Sequence, residues 1–285
     1  MRKVKVAATQ MACTWDLEGN LQKAESLVRQ AAKEGANIIL LQELFETPYF
    51  CQRQDFKYLD LATTVEENKA INHFKKIAKE LEVVLPISFF EKAGNTAFNS
   101  IAIIDADGEV LGIYRKTHIP DGLPYAEKFY FTPGDTGFKV WKTKYATIGV
   151  GICWDQWFPE TARSMALLGA EILFYPTAIG TEPILTKDSM PHWRRTMKGH
   201  AAANIMPVVA SNRIGTEVDG TEMTFYGSSF ITDTYGEVIA QADRETEGIL
   251  VAEFDLDNNA KERREWGVFR DRRPEMYKGI MSHGK

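Results

Sequence analysis

Three residues in this 285-residue chain have types and positions that suit acyl transfer: Glu43, Lys116 and Cys153 each sit at or just past the carboxyl end of an apolar run. A thiol is the best side-chain nucleophile near neutral pH when a neighbouring base can take its proton. Glu43 suits that base, and Lys116, a compact cation, suits an oxyanion forming on a carbonyl under attack. The same positions also suit an inert buried thiol and two strand-edge charges, so type and placement alone leave both readings open.

The elements that carry these residues follow from hydrophobic period. Residues 4–10 read as a buried strand. A helix then starts at Leu17, with Leu21, Ala24, Leu27, Val28 and Ala31 on one face and Gly35 as its stop. Residues 36–42 form a continuous apolar run, the mark of a strand covered on both faces, and Glu43 ends it. Residues 66–82 read as a helix, 83–92 as a strand, and 99–116 as a hairpin around Asp107-Gly108 that finishes at Lys116. The stretch 117–142, richer in Pro, Gly and aromatics, reads as a long functional loop. Residues 146–152 are another buried strand, with Cys153 the first residue past it. A helix over 159–168 follows, and then GAEILFYPTA echoes the GANIILLQE of residues 35–43. Two copies of strand, helix, Gly-Ala and strand predict pseudo-symmetric halves.

Further along, a helix spans roughly 188–203. After it come NIMPVVASN and paired strands to residue 254, with turns at Tyr235-Gly236 and near Glu247-Gly248. Residues 257–285 are charged and aromatic with no core pattern, and read as a tail that packs on something. No Gly, Ser or Pro-rich linker divides the chain, so residues 1–285 are expected to form a single α/β domain with two sheets between helices.

Composition narrows the function. There are 34 basic and 39 acidic residues, a formal charge of −5, with 44% hydrophobic and 26% charged residues, which are ordinary globular values. No basic block recruits nucleic acid or an anionic membrane, and no run of about 18 apolar residues predicts a membrane span. A small-molecule substrate is the expected partner. The start, MRKVKVAATQ, lacks a signal-peptide pattern, so the mature chain is expected to begin at or near Met1. Cys13, Cys51 and Cys153 are odd in number and widely spaced, which fits a reducing cytoplasm better than a disulfide framework. In GVGICW the third glycine position of a dinucleotide fingerprint is Trp154, so that motif fails. His73, His118, His192, His200 and His283 form no HExxH or Cys/His cluster, and no metal site is expected. His118 suits either a pocket wall or a structural hydrogen bond. The arginines of DRRPEMY, residues 271–277, suit a surface or subunit contact.

The strings LLQELF around Glu43, YRKTHIPD around Lys116 and GVGICWDQWFPE around Cys153 resemble, in order and spacing, the nitrilase superfamily of carbon-nitrogen hydrolases. The resemblance runs from Val4 to about Tyr277 and implies an αββα four-layer sandwich. It maps a Glu-Lys-Cys triad onto Glu43, Lys116 and Cys153, with a supporting glutamate at Glu127 in AEKFYFTPGD. The implied reaction is hydrolysis of an amide or ureido C–N bond through a covalent cysteine thioester, without a cofactor, and the backbone N–H of Trp154 is expected to join Lys116 at the oxyanion. It also implies a homo-oligomer assembled through segments such as 257–285, which carries Trp266, Phe269 and Tyr277.

The far end of the substrate should be read by opposite charge. An ammonium calls for a carboxylate or aromatic face, a carboxylate for arginine or lysine. Asp121 in HIPD and Glu182 after the strand at 171–178 are the acidic candidates for binding an amine, and Arg194 or Arg195 in the pocket would count against them. A relative acting on an ω-amide or β-ureido acid and a non-catalytic small-molecule binder are the competing functions.

Overall fold

The structure is a computed structural model that describes residues 1–181 and 186–284. In chain order, the first half contains β1 (Lys3–Gln10), α1 (Leu17–Lys33), β2 (Ile38–Leu40), α2 (Lys69–Leu81), β3 (Leu85–Ala93), β4 (Thr96–Ile104) and β5 (Val110–Arg115). The second contains β6 (Val140–Lys142), β7 (Thr147–Val150), α3 (Pro159–Leu167), β8 (Ile172–Pro176), α4 (Met190–Asn204) and β9 (Val208–Ser211). It continues through β10 (Ile214–Val218), β11 (Glu222–Tyr226), β12 (Phe230–Thr232) and β13 (Val238–Gln241), before β14 (Gly248–Asp255) and α5 (Leu256–Trp266).

One sheet has the order β14-β1-β2, and a parallel bridge between Ile38 and Val84 extends it through β3-β4-β5. The other has the order β13-β12-β9-β8-β7-β6. Each has a parallel centre, β1-β2-β3 or β7-β8-β9, because helical crossovers join those strands, and hairpin strands at its flanks. The order β1-α1-β2-α2-β3 thus recurs as β7-α3-β8-α4-β9. Both Gly-Ala pairs end a helix in the same way. Gly35 N–H reaches Ala32 O and Ala36 N–H reaches Ala31 O, while Gly169 reaches Ala166 and Ala170 reaches Met165. These are Schellman ends, with the glycine in the left-handed conformation.

Strand alternation builds the layers. Val6, Ala8, Ile38 and Leu40 face inward and form one core with Ile148, Val150, Ile172, Phe174 and Val209 of the other sheet. The intervening Ala7 and Ile39 turn outward to meet Leu21, Ala24, Leu27 and Val28 of α1 and Ile71, Phe74 and Ile77 of α2. With α3 and α4 on the far side, the result is a four-layer αββα sandwich of two pseudo-symmetric halves. Among the described residues no helix is long and apolar enough to cross a membrane.

Some boundaries differ from the sequence pattern. The apolar run at 36–42 pairs over only three residues, because the chain leaves the sheet into a turn at 43–46. Helix α2 starts at Lys69 rather than 66 because the Asn68 side chain accepts the Ile71 N–H at 2.8 Å and caps it. The segment 257–285 is more structured than its sequence suggests. Asp255 caps α5, Arg263 donates to the Ile205 and Ala170 carbonyls, and Phe269 lies half-buried beneath Arg163 and Arg263.

The loop after β5 folds straight back on that strand's end, where Gly134 N–H donates to Lys116 O at 2.8 Å. A Cβ at Gly134 would lie 2.1 Å from Arg115 O. Gly134→Ala should therefore cost about 2 kcal/mol or more and lower the thermal midpoint by several degrees. Gly199→Ala, in open space on α4, should do the opposite, raising stability by up to about 1 kcal/mol. Thermal unfolding of both variants checks the pair.

Candidate active site

The ends of β2, β5 and β7 converge where the two sheets meet. Glu43, in the turn after β2, is fully buried, and its Oε1 accepts Lys116 Nζ at 2.8 Å and Asn99 Nδ2 at 2.7 Å. Lys116, one residue past β5, donates also to Glu127 Oε2 at 2.7 Å. Tyr49 OH donates to the other oxygen of Glu127 at 2.6 Å. One ammonium is thus shared by two carboxylates with no exposed surface on any of the three side chains.

Cys153 opens a short 3-10 helix, Cys153–Trp157, two residues beyond Gly151. Its φ is +42°, a left-handed conformation that costs a non-glycine residue about 1–2 kcal/mol. Asp155 holds this turn. Its Oδ2 accepts Ile152 N–H at 3.0 Å and Tyr114 OH at 2.8 Å, and its Oδ1 accepts His118 N–H at 3.0 Å. His118 Nδ1 lies 2.7 Å from the same Oδ1, and its ring stacks on Phe158, so the structure gives His118 a structural hydrogen bond. Tyr114 and His118 flank Lys116, so Asp155 ties the segment carrying the lysine to the turn carrying the thiol.

Charges in this buried cluster oppose one another. Burial pushes the Cys153 thiol well above its ordinary pKa, Glu43 adds to the rise, and Lys116 opposes it. The resting sulfur is therefore a thiol, and attack requires a base. Burial works against the Lys116 ammonium, but Glu127, Glu43 and Cys153 outweigh it and raise its pKa. Burial pushes Glu127 up to about 7 against the pull of Lys116. A buried carboxylate, a retained ammonium and a thiol that interact electrostatically can together move a proton and stabilise an oxyanion.

Trp154 follows Cys153 in the helix with its ring partly exposed. Asp121 lies on the loop beyond Lys116, exposed, with Oδ1 accepting Gly122 N–H at 3.0 Å. Glu182 lies outside the described residues. Arg194 donates to Gln241 Oε1 at 2.6 Å on the surface of α4, and Arg195 is exposed there. Among the described residues no group of three His, Cys, Asp or Glu side chains is arranged to hold a metal ion.

Sequence reasoning missed Asn99, Tyr49, Asp155 and Arg213. Asn99 had a signal, a polar residue inside an apolar strand, since buried amides need partners. Asp155 had a weaker one, two residues past the candidate nucleophile. Tyr49 and Arg213 had none, since only folding brings them to Glu127 and Glu43.

This chain belongs to the carbon-nitrogen hydrolase family, whose family model matches residues 5–264. It is 60% identical to the N-carbamoylputrescine amidase of Oryza sativa subsp. japonica, with 98% of this chain and 95% of that one aligned. It is 57% identical to the citrullinase of Francisella tularensis subsp. tularensis (strain SCHU S4 / Schu 4), over 99% of both chains. The crystal structure of a carbon-nitrogen hydrolase from Helicobacter pylori G27 has a TM-score of 0.92 at 40% identity, over 99% of this chain and 100% of that one.

The shared ammonium makes a testable demand on stability. In the native chain the raised Glu127 holds a proton that the unfolded chain releases between the ordinary carboxylate range and about 7, so stability falls as pH rises through that window. Lys116→Met leaves both buried carboxylates without their cation, and loss of the pull of Lys116 raises Glu127 further. The variant should be about 3–5 kcal/mol less stable near pH 8, and the gap should narrow towards pH 5 as Glu127 protonates. Denaturant unfolding at several pH values reads this, and a gap independent of pH would contradict it.

Proposed function

We propose that this chain hydrolyses N-carbamoylputrescine to putrescine, carbon dioxide and ammonia, a step in polyamine biosynthesis. The observation that carries the reading is a lysine ammonium bridging two buried carboxylates beside a buried thiol, in a chain aligned end to end with N-carbamoylputrescine amidases.

In this reading Glu43 takes the Cys153 proton as sulfur attacks the ureido carbonyl, while Lys116 and the Trp154 N–H hold the oxyanion. Glu43 passes the proton to departing ammonia, leaving an N-alkylcarbamoyl thioester on Cys153. Water activated by Glu43 then releases an alkylcarbamate, which breaks down to putrescine and carbon dioxide. Glu127 orients Lys116 and keeps it charged. The amine end of the substrate is bound by Asp121, Glu182 or both.

A second reading is favoured by the 57% identity to a citrullinase. Citrulline carries the same ureido group, and its far end adds a carboxylate to the ammonium. The two readings differ in whether a cation must face that end. We further infer a homo-oligomer, supported by Trp266, Ile280 and Met281, which are 72%, 65% and 86% exposed near the chain end. A cytoplasmic location is supported by three free cysteines.

Ammonia release from N-carbamoylputrescine and from citrulline, compared as kcat/KM, should favour the first. Cys153→Ser should abolish both while the protein stays folded. Higher kcat/KM for citrulline would move the assignment to the second reading. Asp121→Asn should lower kcat/KM for N-carbamoylputrescine about tenfold more than for an uncharged N-alkylurea of similar length, the value of one charged hydrogen bond. An unchanged ratio would remove Asp121 from the amine site.

A further inference from the structure

Arg213, between β9 and β10, has no exposed surface, and its guanidinium gathers the backbone of the turn that carries Glu43. Nη2 donates to Glu43 O at 2.8 Å and Leu44 O at 3.0 Å, and Nη1 donates to Thr47 O at 3.2 Å. Three buried carbonyls converging on one point would repel one another and stay unsatisfied without this fork. Leu44 also sits in the left-handed region, at φ +47°, so the turn needs such an anchor. A lysine could not reproduce it, because the bonds use the planar spread of both terminal nitrogens.

The guanidinium is itself braced. Glu217 Oε1 accepts Nη1 at 2.9 Å, and Glu217 Oε2 accepts the Tyr49 N–H. Tyr49 then reaches Glu127 through its hydroxyl. The Arg213–Glu217 pair thus bears on both carboxylates that share Lys116, and it comes from the opposite half of the sandwich to Glu43.

We propose that Arg213, braced by Glu217, is a positioning residue that aims the Glu43 carboxylate at Cys153, so that activation of the thiol depends on a guanidinium that touches neither sulfur nor substrate. This rests on the reading of Glu43 as the base. If Arg213 acts through Glu43, its loss should matter only while Glu43 is present.

The test is alkylation of Cys153 by iodoacetamide, followed on the Cys153 peptide by mass spectrometry, in wild type, Arg213→Lys, Glu43→Gln and the doubly substituted chain. Arg213→Lys should slow the reaction about tenfold or more in the wild-type background and less than about twofold in the Glu43→Gln background. Equal slowing in both backgrounds would reduce Arg213 to general structural support and overturn the proposal, as would no slowing at all. Wild-type alkylation by Glu43→Gln alone would instead remove the base role from Glu43, a failure distinct from that of Arg213. Should Arg213→Lys not fold, Glu217→Gln keeps the guanidinium on the carbonyls but loosens its brace. It should give a smaller slowing with the same dependence on Glu43, and equal slowing in both backgrounds would again overturn the proposal.

Discussion

One ammonium shared by two buried carboxylates is the constraint on which the rest of the site depends. Lys116 with Glu43 and Glu127 makes a cluster with one more negative than positive charge when all three are ionised, with no exposed surface on any of the three side chains. Desolvation of each ion costs several kcal/mol, so hydrogen bonds to the cluster offset part of that cost. Asn99 and Tyr49 supply two of those contacts, one to each carboxylate. Burial likewise raises the Cys153 thiol, with Glu43 adding to the rise and Lys116 opposing it.

The four-layer architecture makes this arrangement possible by bringing together ends of strands from both sheets. Glu43, Asn99 and Lys116 come from the first sheet, Cys153 and Arg213 from the second. Two buried polar clamps hold the parts in register across the seam. Asp155 ties the Cys153 turn to the segment carrying Lys116, and Arg213 ties the Glu43 turn to β10. Both clamps act on turns with a residue at positive φ, Cys153 in one and Leu44 in the other. Strain of that kind persists where the surroundings over-determine the backbone.

Local periodicity made much of the scaffold legible. The face of α1 from Leu21 to Ala31 is buried as its spacing requires, and the repeated Gly-Ala pairs mark equivalent helix ends in two similar halves. Glu43, Lys116 and Cys153 were visible because charge or a thiol interrupts an apolar run at a strand end. What stayed hidden depends on long-range pairing. Asn99 lies 56 residues from Glu43, Tyr49 lies 78 from Glu127, and Arg213 lies 170 from the Glu43 carbonyl it holds. No local pattern encodes such contacts. Helix α5 was hidden for a different reason, since its docking rests on Arg263 and a capping aspartate rather than on an apolar stripe.

We propose that Cys153 forms a thioester with the ureido carbon while Glu43 handles the proton. The most direct measurement is acid quenching during turnover of N-carbamoylputrescine, followed by peptide mass spectrometry. The expected result is an adduct on the Cys153 peptide with the mass of the substrate less one ammonia, and none in Cys153→Ser. Turnover without an adduct in the wild type, under conditions that trap a thioester, or an adduct on a different residue, would contradict it.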